Sequence, residues 1–433
     1  MATAKRSFIT AALLALLAAC SPAQQPAGSP KPVAKAPEHS ADGLRDAESL
    51  LQGQKYSEAA EKLQIAVSRQ PRNPQAWFDL GYAQSHLGRT PEAVAAYRKA
   101  VELSPGWFEA NLNLGLALAR SGDFANAATV LKHTVELKPT SGGQAELSNA
   151  WDSLGQVLEQ SDPKAAAQAF RRAAELNPAN PGIAVDAGRA LEKTGDLASA
   201  EQQFREAADA GNTQGMAMLI NLLSRQQRYQ EAESWLRKYV VRSPQDQQAR
   251  IQLARLLASQ GRQQEAIEIL QAQPGAAANP ESEREMAHLY LQTKQYRQAE
   301  PLLRNLLKGS PSDPDLHLGL GISVLYQLKY AEAESELLEA VKLKPDQGDA
   351  YGYLADAARE NKHYELAIRA LDARARFLPE DAKTYFVRAT SYDNLRVPRQ
   401  AVQYYKKFLA VAQGRYPDQE FQARHRLKAL QPE

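Results

Sequence analysis

The pattern PQAWFDLGYAQSHLGRTPEAVAAYRKAVELSPGW fills residues 74–107, and its features return about every 34 residues. Trp77, Leu80, Gly81 and Gln84 are spaced 3, 1 and 3, so they share one helix face. Gly88 punctuates a turn, Ala93, Tyr97 and Ala100 share one face of a second helix, and Pro105 closes it. Shifted by one period, the features reappear as Leu114, Gly115, Gly122, Ala127, Leu131 and Pro139. They return as Trp151, Leu154, Gly155, Ala166, Phe170, Ala173 and Pro178, and again as Gly188, Gly195, Ala200, Phe204 and Ala207. Later copies carry Leu320, Gly321, Tyr330, Ala333, Ala340 and Pro345, then Tyr351, Leu354, Tyr364, Ala367 and Pro379. Weaker copies begin near Ser40, Thr213, Gln247, Pro280 and Ala382. One helix pair cannot bury its apolar face alone, so a chain of this period is held by stacking each pair on its neighbours.

The pattern W-x2-L-G, then A-x3-F, then P resembles the tetratricopeptide repeat, a helix–turn–helix unit of 34 residues. The resemblance covers about eleven copies and nearly all of residues 40–413. It implies an all-α fold, a solenoid wound as a right-handed superhelix of about eleven helix pairs. Within a copy, Gly81 and Ala93 are small because the two helices approach closely there. Ala100 is small where the second helix meets the next copy, and Tyr97 and Trp77 fill the space left over. The Trp and Tyr residues at these positions are therefore read first as core.

The array is uneven. Residues 142–147 form an insertion, and the turn at residues 160–163 is one residue short. The junction AADAGNTQ at 207–214 lacks a closing proline, and Pro274 cuts a second helix short. These are hinges or decayed copies. The tail reads as a final amphipathic helix within residues 414–433, with Phe421, Leu427 and Leu430 against the stack, capping its open face.

The first forty residues are of another kind. Lys5 and Arg6 precede an apolar run of about a dozen residues, too short to span a bilayer. Leu17-Ala18-Ala19 then leads into Cys20, the only cysteine of 433 residues. A lone cysteine makes neither an intrachain disulfide nor a multi-cysteine metal site. The segment resembles the lipobox of bacterial lipoproteins, which implies a signal peptide over residues 1–19, cleavage before Cys20 and diacylglycerol on its sulfur. Ser21 rather than Asp after the cysteine implies the outer membrane, facing the periplasm. Residues 20–40 then read as the lipidated cysteine and a tether with prolines at 22, 26, 30, 32 and 37. At ~3.1 Å per residue it reaches up to ~60 Å from the bilayer.

Chemistry is sparse. None of the seven histidines forms an H-E-x-x-H pair, no phosphate-binding glycine loop ends in Gly-Lys-Ser/Thr, and Gly321-Ile322-Ser323 lacks the second glycine of a nucleophile elbow. No catalytic residue, metal site or cofactor is expected, and with copies running to residue 413 no catalytic domain is expected to follow. The net charge is +2, from 52 Lys+Arg and 50 Asp+Glu; removing Lys5, Arg6, Lys31, Lys35 and Glu38 leaves 48 against 49 in residues 41–413 and the tail, a balance of −1. That is not the basic excess of a nucleic-acid binder.

What the repeats offer is surface. The resemblance implies that positions 2, 5, 9, 12 and 13 of each first helix line a concave groove for a protein or peptide. In the second copy they include Phe78, Tyr82 and His86, in the third Leu112, Leu116 and Arg120, and in the fifth Arg189. Phe78, Tyr82, Leu112 and Leu116 form an apolar patch flanked by His86 and Arg120 if they are exposed; otherwise neighbouring helices cover them. The Lys and Asn of the family's carboxylate clamp at positions 5 and 9 are replaced by Phe78 and Tyr82 and by Leu112 and Leu116, which argues against a chaperone clamp. The expectation is a non-enzymatic scaffold, membrane-bound through Cys20, serving envelope assembly, secretion, pilus biogenesis or polysaccharide export. The alternative is an adaptor for a cell-wall or exported glycan, or for an enzyme that processes one.

Overall fold

The computed structural model describes residues 38–140, 143–272 and 279–431. Cys20, the signal peptide and nearly all of the tether lie outside these residues. Among the described residues there are 23 helices and no strand. Eleven helix pairs succeed one another, followed by one last helix. The first eleven helices are α1 (Glu38–Gln52), α2 (Tyr56–Arg69), α3 (Pro74–His86), α4 (Thr90–Leu103), α5 (Phe108–Arg120), α6 (Phe124–Thr134), α7 (Gly143–Leu158), α8 (Pro163–Leu176), α9 (Pro181–Thr194), α10 (Leu197–Asp209) and α11 (Thr213–Arg225). Then come α12 (Tyr229–Arg242), α13 (Gln247–Ser259), α14 (Gln263–Gln271), α15 (Pro280–Gln292), α16 (Tyr296–Gly309), α17 (Pro314–Leu325) and α18 (Tyr330–Leu343). The last five are α19 (Gly348–Glu360), α20 (Tyr364–Arg374), α21 (Ala382–Asn394), α22 (Pro398–Ala412) and α23 (Pro417–Leu430). The chain divides into two compact units at Trp235 and Leu236, within α12. Helix α1 starts at Glu38, inside the span read as tether, directly after the last helix-breaking proline, Pro37.

In five of the pairs close approach comes from one glycine, at Gly81, Gly115, Gly155, Gly188 or Gly321. A Cβ on Gly81 would stand 2.7 Å from Tyr97 Cδ1, and one on Gly115 2.7 Å from Leu131. The bare backbone of the first helix is thus the seat for a large side chain of the second. Ala93 and Ala100 beside it are 1% and 0% exposed. Seven of the first helices begin at short polar caps, as where Asn73 accepts from the amides of Gln75 and Ala76, at 3.0 and 3.3 Å, and Asp313 does the same for α17.

A second tie recurs between copies. The residue at position 4 of a first helix donates to the carbonyl of the proline six residues earlier. Trp77 Nε1 reaches Pro71 O at 3.0 Å, Asn111 Nδ2 reaches Pro105 O at 2.9 Å, and Tyr351 Oη reaches Pro345 O at 3.1 Å. Arg250 and His317 do the same to Pro244 and Pro311. Trp77 is consequently half-buried, with its polar edge used.

The irregular copies have local causes. Residues 143–147 add a turn to the start of α7, which has 16 residues. At the junction without a proline, Asn212 caps α11 by accepting from Gly215 N at 2.8 Å, and a Cβ on Gly215 would lie 2.6 Å from Ala207 Cβ. Helix α14 has only nine residues; Pro274 itself lies outside the described residues. Helix α23 packs through Ala423, Leu427 and Leu430 against Tyr405 and Phe408 of α22. Arg426 grips Asp393 with two bonds of 2.7 Å. Phe421 departs from expectation: it is 74% exposed, because the face that carries Ala423 and Leu427 turns it outward.

Candidate partner-binding surface

Position 13 of α3 is His86, and its ring lies flat on Tyr56, the first residue of α2, at 4.3 Å and 7°. Tyr82, one turn back, meets His86 at 4.4 Å and the edge of Tyr56 at 6.3 Å. Phe78, a further turn back, leans the other way, 4.6 Å from Trp107 and 5.7 Å from Tyr97. Phe78 and Tyr82 are both half-buried. Part of each ring is spent on its neighbours and part is open. Burial, and then the charge of Arg120, holds the imidazole of His86 below its ordinary range, so it is neutral at pH 7. Arg120 Nη1 donates to Ser85 Oγ at 2.7 Å, which ties α5 to the end of α3.

These residues do not all form one patch. Tyr82 and His86 come together with Tyr56 and lie near Arg120, Phe78 sits instead against Trp107 and Tyr97, and Leu116 is half-buried on α5. Leu112 is 8% exposed. Nine of the thirteen residues of α5 are buried, because helices pack against it from both sides, and Leu112 belongs to that packing. Arg189 stands apart on α9, exposed, with Nη1 3.4 Å from Asp186 Oδ1.

Two carboxylates that periodicity does not mark lie on α3 and α7. Asp79 on α3 is 6% exposed; its Oδ1 accepts from Gln75 Nε2 at 2.8 Å and its Oδ2 has no donor. Burial pushes its carboxyl up, the Gln75 bond draws it partly back, and Glu48 of α1 adds repulsion, leaving it at about 7. Asp152 on α7 repeats the arrangement: Gln156 Nε2 donates to Oδ2 at 2.8 Å, and Oδ1 has no donor. Burial and then Asp186 on α9 raise it to about 7.

The second unit carries its own aromatic set. Tyr296, the first residue of α16, stacks on Tyr326, the residue that caps the end of α17, at 4.6 Å and 11°. Tyr326 is 49% exposed. Tyr353 lies near both, with Lys383 Nζ 5.8 Å from its ring centre and ion-paired to Asp356. Arg255, Glu285, His288 and Gln292 line a shallow polar hollow of about 320 Å³. Both ring stacks join the first residue of a second helix to the end of the next first helix, at i and i+30: Tyr56 with His86, Tyr296 with Tyr326. That spacing is the signal in the sequence that would have found Tyr56, Tyr296 and Tyr326. Among the described residues no group of three or more His, Cys, Asp or Glu is placed to hold a metal, and no helix is long and apolar enough to cross a membrane.

Tetratricopeptide repeat models match residues 44–106, 108–141, 157–223, 223–289, 284–325 and 318–383. A peroxisomal targeting signal receptor of Komagataella phaffii is 31% identical over 31% of this chain and 23% of its own length. Human tetratricopeptide repeat protein 7A is 30% identical over 32% of this chain and 16% of its own. The chain thus spans less than a quarter of either relative. Among solved structures, the APC/C hetero-tetramer Cut9-Hcn1 aligns over 91% of this chain and 96% of its own at 17% identity and a TM-score of 0.38. MamA from Desulfovibrio magneticus aligns over 41% and 98% at 19% identity and a TM-score of 0.36. With repeat models matching nearly all of residues 44–383, and helix pairs succeeding one another through both units, the chain belongs to the tetratricopeptide repeat family.

Proposed function

We propose that this chain is a non-catalytic scaffold that takes an extended segment of a protein partner on the first-helix face of its second and third copies. One observation carries this: Tyr82 and His86 gather beside Tyr56, with Arg120 near His86 and Phe78 one turn further back against Trp107, and ring area is left open. Half-open aromatic rings beside a cation are the composition of binding hot spots. A relative named as a receptor for a targeting signal supports the same mode of use. The test is affinity capture from solubilised envelopes with the wild-type chain and with Tyr82→Ala/His86→Ala. A protein retained by the first and lost by the second supports the reading; equal retention overturns it.

The location is part of the proposal. Cys20, which lies outside the described residues, carries lipid and holds the protein at the bacterial envelope, in the outer membrane facing the periplasm, where pilus assembly, secretion, outer-membrane biogenesis and polysaccharide export are the candidate settings. Labelled palmitate should enter the wild type and not Cys20→Ser, and equal labelling would overturn the anchor. A second reading, glycan binding, draws on Tyr296, Tyr326 and Tyr353 beside Asp356, since aromatic faces with a neighbouring carboxylate suit sugar rings. Recovery of glycan with no protein partner would favour it over the scaffold.

A further inference from the structure

Helix α23 is held in one rotation about its own axis. Ala423, Leu427 and Leu430, spaced 4 and 3, turn toward the stack. Bonds on both flanks of that stripe fix it there. Glu420 is buried and accepts from Gly414 N at 2.7 Å and from Arg424 at 3.1 Å, while Arg426 holds Asp393 on the other side. The opposite face is thereby set outward. It carries Phe421, Arg424, His425 and Lys428, spaced 3, 1 and 3 and all exposed, with Asp418 at its margin. Phe421 is 74% exposed, although a phenyl ring gains by leaving water. The surrounding sequence is basic. Residues 394–433 hold eight Lys+Arg and three Asp+Glu, a balance of +5, against 44 and 47, or −3, in residues 1–393.

We propose that this outer face docks on an anionic membrane surface, with Phe421 entering the headgroup layer and Arg424 and Lys428 lying against lipid phosphates. A helix that presents an aromatic ring among cations has the chemistry of interfacial binding, and each cation near such a surface strengthens it about fivefold. The setting of the ring favours lipid over an acidic protein. A ring that anchors a protein interface sits in a well-packed centre, whereas the neighbours of Phe421 on this face are Asp418, Gln422, Arg424, His425 and Lys428, all polar. Long cationic side chains around a single ring adapt to a fluid surface, stems along the apolar layer and charges in water. None of these residues belongs to the partner face of the second and third copies, and the contact needs no lipid on Cys20.

The test places the photo-crosslinker p-benzoylphenylalanine at Phe421 in the full chain, mixed with vesicles of phosphatidylglycerol and phosphatidylcholine or of phosphatidylcholine alone. Irradiation should give lipid adducts on the first vesicles, at least about fivefold fewer on the second, and few when the crosslinker stands instead at Val241, which is 82% exposed. Lys428→Glu should lower the adduct up to ~25-fold, two charge units at about fivefold each. Lys428 is exposed and outside the packed stripe, so the unfolding midpoint should hold. Lys132→Glu, the same change of charge at an exposed position on α6, should leave the adduct within about twofold, since it lies outside the docking face. No lipid adduct, equal adducts on both kinds of vesicle, adducts as strong at Val241, a yield indifferent to Lys428→Glu, or an equal loss with Lys132→Glu each overturn the docking surface. Adducts between two copies in place of lipid assign the face to self-association and overturn it as well.

Discussion

Asp79→Asn should stabilise the protein, and only above mildly acidic pH. The carboxyl of Asp79 is raised from 3.8 to about 7 in the folded chain. Below pH 3.8 it is protonated whether folded or not, and it carries no penalty. Between 3.8 and 7 the unfolded chain gains by ionising and the folded chain does not, so stability falls by about 1.4 kcal/mol per pH unit. Above 7 the loss is constant, at most ~4 kcal/mol and more realistically ~1–3 kcal/mol once local relaxation is allowed. The amide fits because the next copy already uses one: Asn113 lies 34 residues on, and its Nδ2 donates to Glu109 O at 2.8 Å. The introduced amide would donate to the carbonyl of Gln75 in the same way, while its oxygen keeps the bond from the Gln75 side chain. The assay is urea denaturation at pH 4, 6 and 8, with hydrogen exchange of α3 amides as the local reading, since repeat arrays need not unfold in one step. The gain should be near zero at pH 4 and largest at pH 8. A gain of equal size at both pH values, or a loss at pH 8, refutes the reasoning.

Three further substitutions probe the framework. Ala93→Leu, at a position 1% exposed where the helices of a pair meet, should overpack the contact and cost ~1–3 kcal/mol; an unchanged melting midpoint would count against the repeat register. Leu328 is 70% exposed with φ of 63° in the turn after α17, so Leu328→Gly should relieve left-handed strain and, net of glycine's greater freedom when unfolded, gain ~0.5–1 kcal/mol; a lowered thermal midpoint would contradict this. Partial burial alone would raise Glu300, but donors on Lys329, Arg304 and Gln327 outweigh it and hold the carboxyl down at about 2. Its contribution is full above pH 4.5 and fades as pH falls through 2, so Glu300→Gln should cost ~1–2 kcal/mol at pH 7 and far less at pH 2.5, and a deficit independent of pH would rule the ion network out.

The parts of the fold that can be read from the sequence are those in which one contact demands one residue type. Gly81 under Tyr97 and Gly115 under Leu131 leave no alternative to glycine, so the period stands out. The proline tie is hidden because it demands only a donor, and Trp77, Asn111, Arg250, His317 and Tyr351 all supply one. The turns behave alike: Gly88, Gly122 and Gly195 mark the left-handed residue, whereas Gln54, Lys294, Leu328 and Arg396 adopt it unmarked. On the candidate surface, family positions led to Phe78, Tyr82, His86 and Arg120, but position alone could not tell Leu112, closed over by packing, from Leu116, which stays half open. The stack of Tyr56 on His86 joins two copies and so falls outside any pattern written for one copy. Asp79 escaped because a carboxylate on a helix reads as solvated until burial is known.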